Sequence, residues 1–98
     1  MNIDKKTQTE IEAATFRKLL QHLDNHKEVQ NIDLMITADF CRNCLSKWFV
    51  SEAEKLNTEV SIEDAHQIVY KMPYIEYKEK FQTPATVEQL KAFNSKKK

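Results

Sequence analysis

The two cysteines of this chain, Cys41 and Cys44, lie three positions apart in the run Phe40-Cys41-Arg42-Asn43-Cys44-Leu45, inside its most hydrophobic stretch. On a continuous helix, residues i and i+3 project from nearly the same face. Thiolates held that close could share one metal ion, and Cys-x2-Cys is a common half-site for zinc. A structural zinc takes four ligands, and the sequence holds no second cysteine pair. Histidine would have to complete the set. His22 and His26 are spaced i,i+4, and His66 is the remaining histidine. His22-x3-His26, then fourteen residues, then Cys41-x2-Cys44, reverses a familiar zinc-site order. The spacing therefore marks Cys41, Cys44, His22 and His66 as candidate metal ligands for zinc or iron, with His26 as a further helper.

Two other chemistries compete for the same pair. Reactive Cys-x-x-Cys pairs normally open a helix, where the dipole lowers a thiol's pKa. A cysteine pair two turns inside a helix instead packs as a small hydrophobe, here in the stripe Cys41, Leu45, Trp48. The histidines have solvated alternatives as well. His22 and His26 follow the polar edge of a helix end, and His66 lies among Glu63, Asp64 and Gln67. A break at 37–39 would favour the redox reading, with Asp39 capping a fresh helix and both cysteines in its first turn.

Arg42 sits between the cysteines and is expected to point away from the core. There it could grip a carboxylate or phosphate bidentately, or pair with Asp39 or a nearby Glu. Together with Tyr70, Tyr74 and Tyr77 it makes up the candidate partner-binding set. The wider aromatic series Trp48, Phe49, Tyr70, Tyr74, Tyr77 and Phe81 could line a groove for a partner helix, or fill the core with tyrosine hydroxyls reaching the surface. No Ser-His-Asp or Cys-His dyad can be assigned, and Glu52-Glu54 and Glu63-Asp64 read as solvated faces. No catalytic residue is therefore named, and an enzyme is the less favoured reading.

Composition narrows the field. Fifteen basic and fifteen acidic side chains give a formal net charge of zero, which removes the long-range attraction expected of a nucleic-acid binder. No apolar run approaches the roughly 18 residues of a membrane span. The first residues carry no apolar stretch resembling a secretion signal, so a cytoplasmic location is expected. Thiols stay reduced there, and a structural disulfide is not expected. The chain contains no glycine, which rules out Walker-type and dinucleotide-binding loops and disfavours hairpin-rich β folds.

The elements that must position these residues follow from periodicity and caps. Thr9 and Glu12 fit a capping box at the start of a first helix, with Ile11, Phe16, Leu19, Leu20 and Leu23 on its apolar face. It ends near Asp24-Asn25, and Asn25, Asn57 and Asn94 read as glycine substitutes at helix C-termini. A long helix over 33–56, with 37–39 as the place for an irregularity, carries the apolar stripe from Leu34 to Leu56. Ser61 and Asp64 cap a third helix to about Tyr70, burying Ile62, Ala65, Ile68 and Val69. Pro73 ends it and opens a fourth. Thr86 and Gln89 box a short fifth helix with Val87, Leu90 and Phe93 inward. The expectation is an all-α domain over 1–98, a compact bundle of four to five helices around the central helix at 33–56, with 1–6 and 95–98 frayed. A core this small leaves apolar surface to cover, which points to a homodimer or protein partner.

The segments Asn31-Ile32-Asp33-Leu34-Met35 and Phe40-Cys41-Arg42-Asn43-Cys44-Leu45-Ser46-Lys47-Trp48 resemble a family of short proteobacterial proteins catalogued as domain of unknown function number 1244. Val69-Tyr70-Lys71-Met72-Pro73-Tyr74 is similar to its second signature, which usually carries Gly where this chain has Lys71. Tyr77 stands where the family commonly has Trp. The likeness runs from the first helix through Gln82-Thr83. It implies a compact all-helical domain and brings no activity, substrate or cofactor. Two readings remain: a helical interaction module, or a metal or thiol-redox function at Cys41 and Cys44.

Overall fold

The first helix begins earlier than its capping signal suggests. The computed structural model describes residues 2–96, and in it α1 spans Lys5–Asp24 with Asp4 as its N-cap. The Asp4 carboxylate accepts the Thr7 N–H at 2.7 Å. An aspartate cap five residues upstream, followed by two lysines that tolerate helix well, starts the helix before Thr9 can. Thr9 is then an interior residue whose hydroxyl donates back to the Lys5 carbonyl at 2.9 Å, and Glu12 accepts from Gln8 instead of closing a box.

The long helix expected over 33–56 is two helices. α2 spans Asn31–Ala38 and α3 spans Arg42–Lys55. Between them Asp39 adopts a left-handed backbone (φ 59°, ψ 26°). That conformation ends a helix, and Asp tolerates it because its short side chain crowds the backbone little. Cys41, in extended backbone, is the N-cap of α3, not Asp39.

α4 spans Ile62–Tyr70, α5 spans Tyr74–Phe81 and α6 spans Val87–Lys96, which makes six helices among the described residues in place of four or five. Ser61 caps α4 as expected, accepting the Asp64 N–H at 3.0 Å. Pro73 is the N-cap of α5. Thr86 and Gln89 form the full reciprocal box ahead of α6, at 2.8 and 3.1 Å. Asn57 is left-handed (φ 55°). Asn25 is right-handed, and Asn94 lies inside α6, so neither replaces a glycine. The third left-handed residue is Lys71 (φ 62°), which closes α4. Of the termini expected to fray, Met1, Lys97 and Lys98 lie outside the described residues.

The core gathers Leu20 and Leu23 of α1, Leu45 of α3, Val69 and Tyr70 of α4 and Tyr77 of α5, with Phe16, Leu34, Phe40, Met72, Tyr74 and Phe81 packed around them. α3 lies on α4, α5 folds back on α4, and α6 lies on α2. Several residues expected inside face outward: Trp48 is 54% exposed, and Leu56, Ile68, Val87 and Leu90 are exposed as well. The break at Asp39 is the physical reason for Trp48 and Leu56, because it rotates α3 out of register with the stripe begun on α2.

The molecule is elongated, 48 × 31 × 26 Å, with a radius of gyration of 15.6 Å. A chain of this length folded into a sphere would give about 13 Å. The 20-residue α1 accounts for the difference: it is about 30 Å long and joins the core through its C-terminal half. Among the described residues no helix is long and apolar enough to cross a membrane.

Candidate thiol site

The turn between α2 and α3 carries the chemistry. With Cys41 as N-cap, Arg42, Asn43 and Cys44 fill the first turn of α3. The two sulfurs stand 3.6 Å apart. Cys41 is buried and Cys44 is half-buried, and both are free thiols. The pair therefore opens a helix and does not lie two turns inside one.

Opposing forces act on the Cys41 thiol. Burial pushes its pKa up from the ordinary value, and this is the larger influence. The neighbouring Cys44 thiol also raises it, while the backbone amides of Cys44 and Asn43, pointing out of the first turn, pull it down. Desolvation wins, so Cys41 is held as a thiol at neutral pH.

Two groups of hydrogen-bonded side chains hold this turn in place. The Arg42 backbone N–H and its Nη1 both donate to Asn31 Oδ1, at 3.3 and 3.1 Å, and Asn31 Nδ2 donates to the Tyr70 hydroxyl at 3.1 Å. Asn43 Oδ1 meets His66 Nε2 at 2.9 Å, which pins α3 to α4. Burial holds the His66 pKa below its ordinary value, and Glu63 only partly offsets this. His66 is then neutral at pH 7, with Nε2–H donating to Asn43.

Arg42 does not point outward. It is 2% exposed, and its guanidinium is filled by oxygen acceptors. Nη1 donates to Val29 O at 2.8 Å; Nη2 donates to His26 O at 3.1 Å and Leu23 O at 3.3 Å. These carbonyls lie at the C-terminus of α1 and in the chain leaving it, the negative end of that helix. The guanidinium also sits over the Tyr77 ring, 5.6 Å from its centroid. It thus clamps the α1 exit to the thiol turn, and its Nη donors are taken from any external carboxylate or phosphate.

The other partner-binding candidates are distributed the same way. Tyr70 and Tyr77 are 2% and 3% exposed and belong to the core; Tyr74 is half-buried against both Tyr70 and His66. Burial raises the phenol pKa of Tyr70 and of Tyr77. Among the metal candidates, His66 reaches the thiol turn through Asn43, not through sulfur. The His22 and His26 rings meet at a tilt of 51°, 4.6 Å between centroids, beside the α1 exit, where His26 Nδ1 faces Glu28 at 3.1 Å. Among the described residues no three His, Cys, Asp or Glu side chains come together in a way that could hold a metal ion. The zinc set Cys41, Cys44, His22 and His66 is therefore not assembled.

Cys41, Asn31, Asn43, Tyr74 and Tyr77 share an open cavity of about 350 Å³ that residues 82–85 also line. On the other flank, Met35 of α2 brings its sulfur within 4.0 Å of Cys44 Sγ. Sequence reasoning placed Met35 in the apolar stripe and missed Asn31 and Asn43 as struts. In one unbroken helix Met35 and Cys44 would stand nine positions apart, about 13 Å along the axis, so only the left-handed residue at position 39 brings them together.

A comparison of the sequence with curated proteins found no match. A family model does match, over residues 29–95, which covers α2 to α6 and leaves α1 outside. The likeness therefore starts later and runs further than the sequence signatures suggest. The chain belongs to the DUF1244 family, whose description is protein of unknown function.

Proposed function

We propose that this protein is a dithiol redox module that exchanges electrons with a disulfide through Cys41 and Cys44. The observation that carries the reading is the pair of sulfurs 3.6 Å apart in the first turn of α3. A closing movement of about 1.5 Å converts that contact into a disulfide bond of about 2.05 Å. The half-buried Cys44 is the sulfur that an incoming disulfide reaches first. Its thiolate attacks one sulfur of the substrate, forming a mixed disulfide and releasing the other sulfur as a thiolate that takes up a proton. Cys41 then loses its proton and attacks Cys44 Sγ, closing the internal disulfide and releasing the second substrate thiol. The protein gives up two electrons and two protons, and the substrate disulfide gains both. Burial keeps Cys41 protonated in the resting protein, which leaves the first attack to Cys44.

Trapping tests the order of attack. Cys41→Ser should accumulate a mixed disulfide at Cys44 when mixed with oxidised glutathione, and Cys44→Ser should stay unmodified on the same timescale. The reverse pattern, or equal labelling of both variants, overturns the assignment.

A second reading has its own support. Ile11 and Leu19 of α1, and Ile3 just ahead of it, are exposed, and α1 projects from an elongated molecule. Association of two copies along α1 would cover these residues. Sedimentation should then give about twice the monomer mass, falling to one on Ile11→Glu; a wild-type monomer at high concentration contradicts it.

A further inference from the structure

The corner at Asp39 sets three sulfur atoms side by side, and two of them come from the pair already described. Cys41 Sγ lies 3.6 Å from Cys44 Sγ, and Cys44 Sγ lies 4.0 Å from Met35 Sδ. With metal–sulfur bonds of about 2.3 Å, two sulfurs on a trigonal metal stand about 4.0 Å apart. The two separations in this structure, both centred on Cys44, are close to that spacing.

The donor set selects the ion. Thioether sulfur is a soft ligand that favours Cu(I), whereas structural zinc asks for four ligands drawn from thiolate, imidazole and carboxylate. Among the described residues no third His, Cys, Asp or Glu joins the cysteine pair. Cu(I) accepts three sulfurs and needs no fourth group. Charge agrees. Binding would release two thiol protons, leaving one positive ion between two thiolates, a net charge of −1. This excess sits in the first turn of α3, where the free amides and the helix dipole favour negative charge. The sulfurs are reachable, since Cys44 and Met35 are both half-buried, not sealed. Phe40 and Trp48, stacked at 6.3 Å, flank the same turn with apolar surface.

We infer that Met35, Cys41 and Cys44 form a three-sulfur site for a single Cu(I) ion. The inference shares with the exchange reading only that both thiols are free; it does not need the exchange to occur.

The test is anaerobic titration of the fully reduced protein with Cu(I) in competition with a chromogenic Cu(I) chelator, with thiols counted on the same sample. The result expected is one Cu(I) per chain, with X-ray absorption reporting three sulfur neighbours at about 2.3 Å. Met35→Leu should bind about tenfold more weakly and show two sulfur neighbours, while its two thiols still count as free and its helical content is unchanged. Cys44→Ser should abolish stoichiometric binding. The inference is overturned if wild-type protein with two free thiols leaves the copper on the chelator. It is equally overturned if Met35→Leu binds within twofold of wild type with an unchanged sulfur count, or if nitrogen neighbours replace the third sulfur. Loss of internal disulfide formation with copper binding intact would remove the exchange reading and leave this one standing.

Discussion

A guanidinium taken out of water has to find oxygen for its N–H groups, and Arg42 finds three carbonyls and an amide oxygen. Hydrogen bonds from a charged donor each contribute about 1.5–3 kcal/mol, and removing the donor leaves buried carbonyls without a partner. Arg42→Met should therefore lower unfolding stability by roughly 2–4 kcal/mol, read as a shift of the urea midpoint. Arg42→Lys should recover only part, because one ammonium cannot span acceptors on both sides of a planar fork. A loss under about 0.5 kcal/mol, the range of ordinary surface substitutions, would contradict the clamp. The sequence concealed this residue. An arginine beside Asn43 and near Asp39 reads as solvated by default, since arginine is rarely buried without a partner. Its partners are backbone carbonyls 13 to 19 positions away, which no side-chain pattern encodes.

Among the elements, the corner between α2 and α3 decides what the cysteines can do. Hydrophobic periodicity runs through residues 33–56 with little interruption, so the eye reads one helix; only the weakness at 37–39 hinted at two. The corner at Asp39 is tied to a distant element, since Lys96 of α6 donates to the Met35 and Ile36 carbonyls at 3.1 and 2.6 Å and pairs with Asp39 at 2.8 Å. Caps with local chemistry were legible: Ser61, Pro73 and the Thr86–Gln89 box all stand where the sequence puts them. The corner also carries a measurable strain. Asp39→Ala and Asp39→Gly both remove the ion pair to Lys96, so their difference isolates the backbone. Asp39→Gly should be the more stable by about 1 kcal/mol, because a Cβ in this conformation costs about that much. Equal urea midpoints for the two variants would show that the corner is not strained.

At the scale of the whole molecule, three groups make stability depend on pH in the same direction. Burial raises the pKa of Cys41 above 9.0 and those of Tyr70 and Tyr77 above 10.0. A raised folded pKa means that the unfolded chain gives up its proton first. The contribution of these groups is thus complete below pH 9 and declines as pH rises through the ordinary thiol and then phenol range. Urea unfolding at a series of pH values should show stability falling above about pH 9, with Cys41→Ala removing the earliest part of the fall. A flat profile to pH 11 would contradict the burial of these groups. The all-helical class and the family were readable from the sequence. The elongated outline was not, because nothing in the periodicity of α1 says that its first half projects from the core.

The most direct measurement is redox equilibrium of the wild-type protein with mixtures of reduced and oxidised glutathione, quenched in acid and read by intact mass. The account predicts a single two-electron transition to a species lighter by two hydrogens, bridged between Cys41 and Cys44, with the helical circular dichroism retained. Glutathione adducts that persist at Cys44 with no bridged form, or bridging that appears only as the helices are lost, would contradict it.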